Sequence, residues 1–178
     1  MGLLSGRVRT PADFRRLLGP SERVLAIGST ETSSVIATQL GLWLPAAAEA
    51  VDPSGPGWRR IGWADVVKAT WTDNGLEVLE GDTDPDGVVV DRPPVLIRFT
   101  EPRNLPAVVR TRVENSIVRS EQVPVPGGTG RVVARRVPGR DGISWTARRD
   151  TGTPDGPGTH AVLAEYRRRA EATSAELS

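Results

Sequence analysis

Asn74-Gly75 stands between two runs of alternating apolar residues, and this dipeptide constrains the chain more than any other feature. A type I′ turn needs positive φ at both central residues, which Asn and Gly tolerate best. With these two at the turn, Trp71 is expected opposite Val78 and Asp73 opposite Leu76. Val67, Ala69, Trp71, Leu76 and Val78 then share one face, while Lys68, Thr70, Thr72 and Glu77 share the other. Trp71 and Trp43 lie in apolar patterns and are expected in the core, whereas Trp58 and Trp63 flank a loop-rich stretch.

Upstream, ERVLAIGST (22–30) and SSVIATQLGLWLP (33–45) read as two further strands joined by a polar turn. Before them, TPADFRRLLG has a capping Thr10, Pro11 at the first helical position and Asp13 in a capping-box-like place. Phe14, Leu17 and Leu18 give that short helix one apolar stripe. After the hairpin come the acidic loop GDTDPDG, short strands in VVV and VLIRFT, and a helix over 104–118 capped by Asn104. Its stripe is Leu105, Val108, Val109, Val113 and Ile117.

The last sixty residues change character. From Arg119 onward ten arginines face seven acids, a net +3, while residues 1–118 carry −2. VRSEQVPV, RVVARRVPG and ISWTARRD read as three strands, followed by a helix from near Thr159 with Val162, Leu163, Tyr166 and Ala170 on one side. The organisation expected is a first domain over 1–118 and a basic βββα extension over 119–178. A length of 178 residues suits one compact domain with such an extension.

Whole-chain charge is only +1, so any attraction to nucleic acid or an anionic membrane must be local. The absence of cysteine excludes disulfides, thiolate metal sites and cysteine nucleophiles, and fits a reducing compartment. The longest mostly apolar stretch, starting at Leu40, is too short to span a bilayer and holds Pro45 and Glu49. Arg7 and Arg9 follow too few apolar residues for a signal peptide, so a cytoplasmic location is expected.

Ile61, Trp63, Asp65 and Val66, then Trp71, Asn74-Gly75 and Leu76, resemble the central strands of bacterial pleckstrin-homology-like (PH-like) domains. The likeness covers roughly residues 20–118, and the Arg-rich composition suggests an actinobacterial type. The resemblance implies an α+β fold: a PH-like β-sandwich or barrel closed by a C-terminal helix, with the βββα extension appended. It also implies a scaffold that binds peptides, proteins or lipid headgroups rather than an enzyme. Relatives that bind phosphoinositides use a basic loop between the first two strands; here that loop is STETS, with Glu31 and no base, which argues against such a ligand.

Catalytic and metal signatures are thin. His160 is the sole histidine and reads as an exposed residue in the first turn of the last helix. No Gly-x-Ser-x-Gly elbow is present to make a triad with it. Asp82, Asp84, Asp86 and Gly87 match the first half of a calcium loop, but Pro93 stands where the closing acid is needed, so an acidic turn is expected. PVPGGTGR lacks the Gly-Lys-Ser/Thr of a phosphate loop and reads as a β-turn. No catalytic residue, metal ligand or cofactor is expected.

Arg135, Arg136, Arg148, Arg149 and Arg167 are the candidate surface for an anionic partner, set against the plainer reading of a solvated charged face. The expected function is a non-enzymatic scaffold engaging a protein partner. The alternative is an RNA-binding protein using this arginine face, because helix 104–118, three strands and a helix follow the order of a double-stranded-RNA-binding domain. That alternative lacks the usual basic start to its second helix.

Overall fold

The computed structural model describes residues 10–46 and 57–176. Arg7, Arg9, the alanine-rich stretch after Ala46 and the final two residues lie outside the described residues. The chain is α+β, with three antiparallel sheets and a long C-terminal helix, and the described strands close no barrel.

The first sheet is a meander of β1 (Val24–Ser29), β2 (Ser34–Thr38), β3 (Gly41–Pro45) and β4 (Trp58–Gly62). The stretch expected as one strand over 33–45 is therefore two, folded at Gln39-Leu40. Thr38 makes this turn: its Oγ1 accepts the N–H groups of Leu40 and Gly41 and donates to buried Glu22 at 2.6 Å. The outer face of the sheet is covered by α1 (Ala12–Arg15). Phe14 there packs edge-on against both Trp43 and Trp58. Thr10 does not cap this helix; Pro11 is its N-cap residue, and Asp13 instead accepts the Trp58 indole N–H at 2.8 Å.

The second sheet is built on β6 (Gly75–Thr83), which pairs with β5 (Val66–Thr72), β7 (Val89–Asp91) and β8 (Val95–Ile97). The Asn-Gly hairpin forms, but Trp71 pairs with Leu76 and Thr72 with Gly75, so Asp73 and Asn74 are the central turn residues. Gly75 instead opens β6 at φ +131°, pressed so close to the Ile97 carbonyl that no side chain fits. The two-residue shift preserves parity near the turn, so Ala69, Trp71, Leu76 and Val78 share a face as expected, but a bulge between Val66 and Lys68 puts Val66 rather than Val67 in the core. Leu76 and Val78 are buried, while Trp71, near the hairpin end, is 46% exposed and lies across Phe99. Trp71 is thus not a core residue. The buried tryptophans are Trp43, Trp58 and Trp63.

The two sheets and α2 (Leu105–Ser116) enclose the main core of Val35, Leu42, Ile61, Trp63, Val66, Leu105 and their neighbours. The helix stops at Ser116, before the expected end. Ile117 and Val118 open the strand β9 instead, with no linker.

The third sheet has the order β11–β10–β9, from β9 (Ile117–Val125), β10 (Gly128–Arg136) and β11 (Ile143–Arg149). One of its faces packs Val123, Val132 and Ala147 against Leu163 of α3 (Pro157–Glu176). Helix α2 leans on β1, β2 and β5 more than on this sheet. The α-β-β-β-α order is present without both helices sharing one sheet face.

Candidate functional site

Period-2 geometry divides the five candidate arginines. Adjacent strand residues point to opposite faces, so Arg135 and Arg148 look away from α3, while Arg136 and Arg149 look the other way. Most of the five are already engaged. Arg148 pairs with Asp91 at 3.0 Å. Arg149 donates to the Thr153 carbonyl and lies 3.9 Å from Asp155. Arg167 pairs with Glu171 at 2.9 Å and packs its stem on Gly87. Arg148 shares its face and a small hollow with Arg135, but Arg149 and Arg167 do not join them, so the five do not form one surface.

Arg135 is different. It is 8% exposed, and its Nη1 donates to Ser116 Oγ at 2.8 Å. No carboxylate lies within ion-pair distance of it among the described residues. Burial, then the nearby Arg148, press its pKa below the ordinary arginine value, against the pull of Asp65. A guanidinium remains charged even so. Burial has thus taken part of the water from this cation, and the described protein returns one neutral hydroxyl.

The open side of Arg135 faces a groove between the third sheet and the Gly62–Asp65 turn. Two adjoining hollows make it, of about 600 and 550 Å³, sharing Trp63, Arg140 and the 137–139 loop. The first is lined by Arg60, Asp65, Arg135, Arg140, Ser144 and Thr146. The second adds Arg112, Asn115, Arg136 and Asp141. Among the described residues, Arg112, Arg135, Arg136 and Arg140 have no carboxylate partner. Arg60 is tied down, 3.8 Å from Glu22 and over the Trp43 ring.

Asp65 is the acid on the opposite wall. Although exposed to the groove, it has lost enough water to the surrounding walls that desolvation, helped by Glu80, raises its pKa above the ordinary value. Gly62 N–H, Arg135 and Arg140 pull the other way. Ser144 and Thr146 face the groove from β11, Ser144 directly across from Arg135. Neither hydroxyl has a hydrogen-bond partner among the described residues.

The acidic loop is occupied by the fold itself. Asp82 forms a two-pronged pair with Arg92 at 2.6 Å. Asp84 Oδ1 accepts the N–H groups of Asp86 and Val88, and Oδ2 shares a 2.6 Å hydrogen bond with His160 Nε2. Desolvation works against ionised Asp84, but the His160 and backbone bonds outweigh it and hold its carboxyl below the usual range. His160 is thus a partly buried clasp between the loop and α3 rather than a free first-turn residue. Asp84, Asp86 and His160 bring one ligand atom each within 4.8 Å, the spacing of a cation site, but both Asp84 oxygens are already bonded.

Arg60, Asp65, Arg112, Arg140, Ser144 and Thr146 escaped the sequence reading as site residues. Alternation in ISWTARRD puts Ser144 and Thr146 on one face and Ile143, Trp145 and Ala147 on the other, the one signal in the sequence that points to them. A scan against protein-family models and searches of curated proteins and solved structures found no match to this chain.

Proposed function

We propose that the protein is a non-enzymatic cytoplasmic binding module that holds an acidic segment of a protein partner in the arginine-lined groove. The sandwich of β1 to β8 with α2 is read as a PH-like platform left open, and the βββα extension supplies the second wall.

The carrying observation is Arg135: a buried cation whose one hydrogen-bonding partner among the described residues is Ser116 Oγ, opening into a hollow with other arginines that have no carboxylate partner there. A carboxylate from outside would supply the missing countercharge through short charge-assisted bonds. A single chain is favoured over a duplex because Arg148, Arg149 and Arg167, which a broad phosphate-binding face would need, are each drawn into internal pairs. No described helix is long and apolar enough to cross a membrane.

Fluorescence anisotropy with an Asp/Glu-rich dodecapeptide and a duplex RNA, at about 150 mM salt, tests this. The peptide should bind and the duplex should not, and the Arg112→Gln/Arg136→Gln/Arg140→Gln variant should lose the peptide. Tighter binding of the duplex would replace the protein-partner reading with nucleic-acid binding.

A further inference from the structure

Within the proposed groove, donors outnumber what a carboxylate can accept. Arg135, Arg140 and Asp65 line the same hollow. Ser144 stands across from Arg135 in the ladder, and Thr146 is two residues along on the same face. Both hydroxyls are unpartnered among the described residues. A carboxylate is satisfied by one guanidinium fork. Two guanidiniums and two hydroxyls on one wall suit an anion with three terminal oxygens and more than one charge.

We propose that the inner end of the groove, at Arg135, Arg140, Ser144 and Thr146, is a seat for a phosphate monoester carried on a serine or threonine side chain of the protein partner. The inference rests on the acidic-segment reading and names the group it recognises. A phosphorylated hydroxyl carries roughly −1.5 to −2 charge at neutral pH, against one for Asp or Glu. With Arg135 and Arg140 at +2 and Asp65 at −1 the seat is net positive, and it is the number of donors that favours the monoester over a carboxylate. Among the described residues Arg135 and Arg140 have no carboxylate within ion-pair distance, and Asp65 on the facing wall makes no ion pair with either. Arg60 is held by Glu22, and Glu80 behind Asp65 is held by Arg59 and Arg92. The phosphodiester of RNA has one charge and two free oxygens and fits this donor set less well than the monoester.

The test uses labelled degenerate dodecapeptide pools, identical except for a central Ser, phosphoserine or Glu, with inorganic phosphate and a single-stranded RNA as further probes. The full chain should bind the phosphoserine pool at least about tenfold more tightly than the other two, a difference worth one decade in Kd. Inorganic phosphate should compete only weakly. Ser144→Ala/Thr146→Val alters two side chains without hydrogen bonds among the described residues and should weaken phosphoserine-pool binding by at least about tenfold, erasing its preference over the Glu pool. Arg140→Gln, at an exposed position, should weaken every pool, and thermal melts confirm folding of each variant.

Equal binding of the Glu and phosphoserine pools, both lost in Arg140→Gln, overturns the phosphate seat and leaves the acidic-segment reading standing. Inorganic phosphate binding as tightly as the peptide makes the ligand a free anion and overturns the side-chain source. Preference for RNA, or no binding by any pool, overturns both readings.

Discussion

Arg135 Nη1 lies 2.8 Å from Ser116 Oγ, and this neutral contact is the only hydrogen bond that the buried guanidinium makes to the described protein. Stability alone gives little reason for such a residue. Replacing a buried, poorly compensated charge by an apolar side chain of similar length is often neutral or stabilising. Arg135→Met should therefore cost no more than about 1 kcal/mol in urea unfolding, or raise stability, while abolishing binding of the acidic peptide. A large loss of stability would make Arg135 a structural residue.

The tryptophans should separate sharply. Trp63 is 1% exposed, and its indole N–H donates to the Thr38 carbonyl. Trp63→Ala should cost about 3–5 kcal/mol. Trp71→Ala removes a ring that rests on Phe99 with nearly half its surface in water, and should cost about 1–2 kcal/mol. Equal costs, measured by chemical denaturation, would contradict the observed hairpin position.

The Asp84–His160 clasp should show at acid pH. The folded pKa of Asp84 is depressed, so the stability that it contributes is present above the ordinary carboxylate range and is lost as pH falls below about 4. Asp84→Asn should lower stability at neutral pH and flatten the acid limb of a Tm-against-pH curve. An unchanged acid limb would show that the bond carries no linkage.

Asp65 should behave with the opposite sign. Its folded pKa is raised, so its ionisation opposes folding, and stability declines as pH rises through the folded value. Asp65→Asn should raise the neutral-pH Tm and also tighten anion binding, since it removes the acid facing Arg135 and Arg140. Weaker peptide binding by this variant would place the ligand's positive end, not its acid, in the groove.

Local features were legible where local forces decide them. Alternation around Trp145 correctly separated the α3 face of β11 from the groove face, and the Leu105, Val109 stripe marked the buried side of α2. The turn position was missed because Gly75 is required by its contact with Ile97, twenty-two residues away, as well as by the hairpin. Trp71 looked buried because parity fixes a face but not how far the covering elements reach along it. The groove was invisible because its arginines come from β4, α2, β10 and the loop after it. Adjacent Arg135 and Arg136 read alike in sequence, yet one is buried beside Ser116 and the other exposed.

The most direct test of the groove is a titration of the isotope-labelled protein with the acidic dodecapeptide, followed by backbone amide shifts. The account predicts the largest changes at Ser144, Thr146 and the 137–142 loop, with half-saturation moving to weaker binding as salt rises. Changes centred instead on Arg149, Arg167 and the α3 face, or none at the groove, would contradict it.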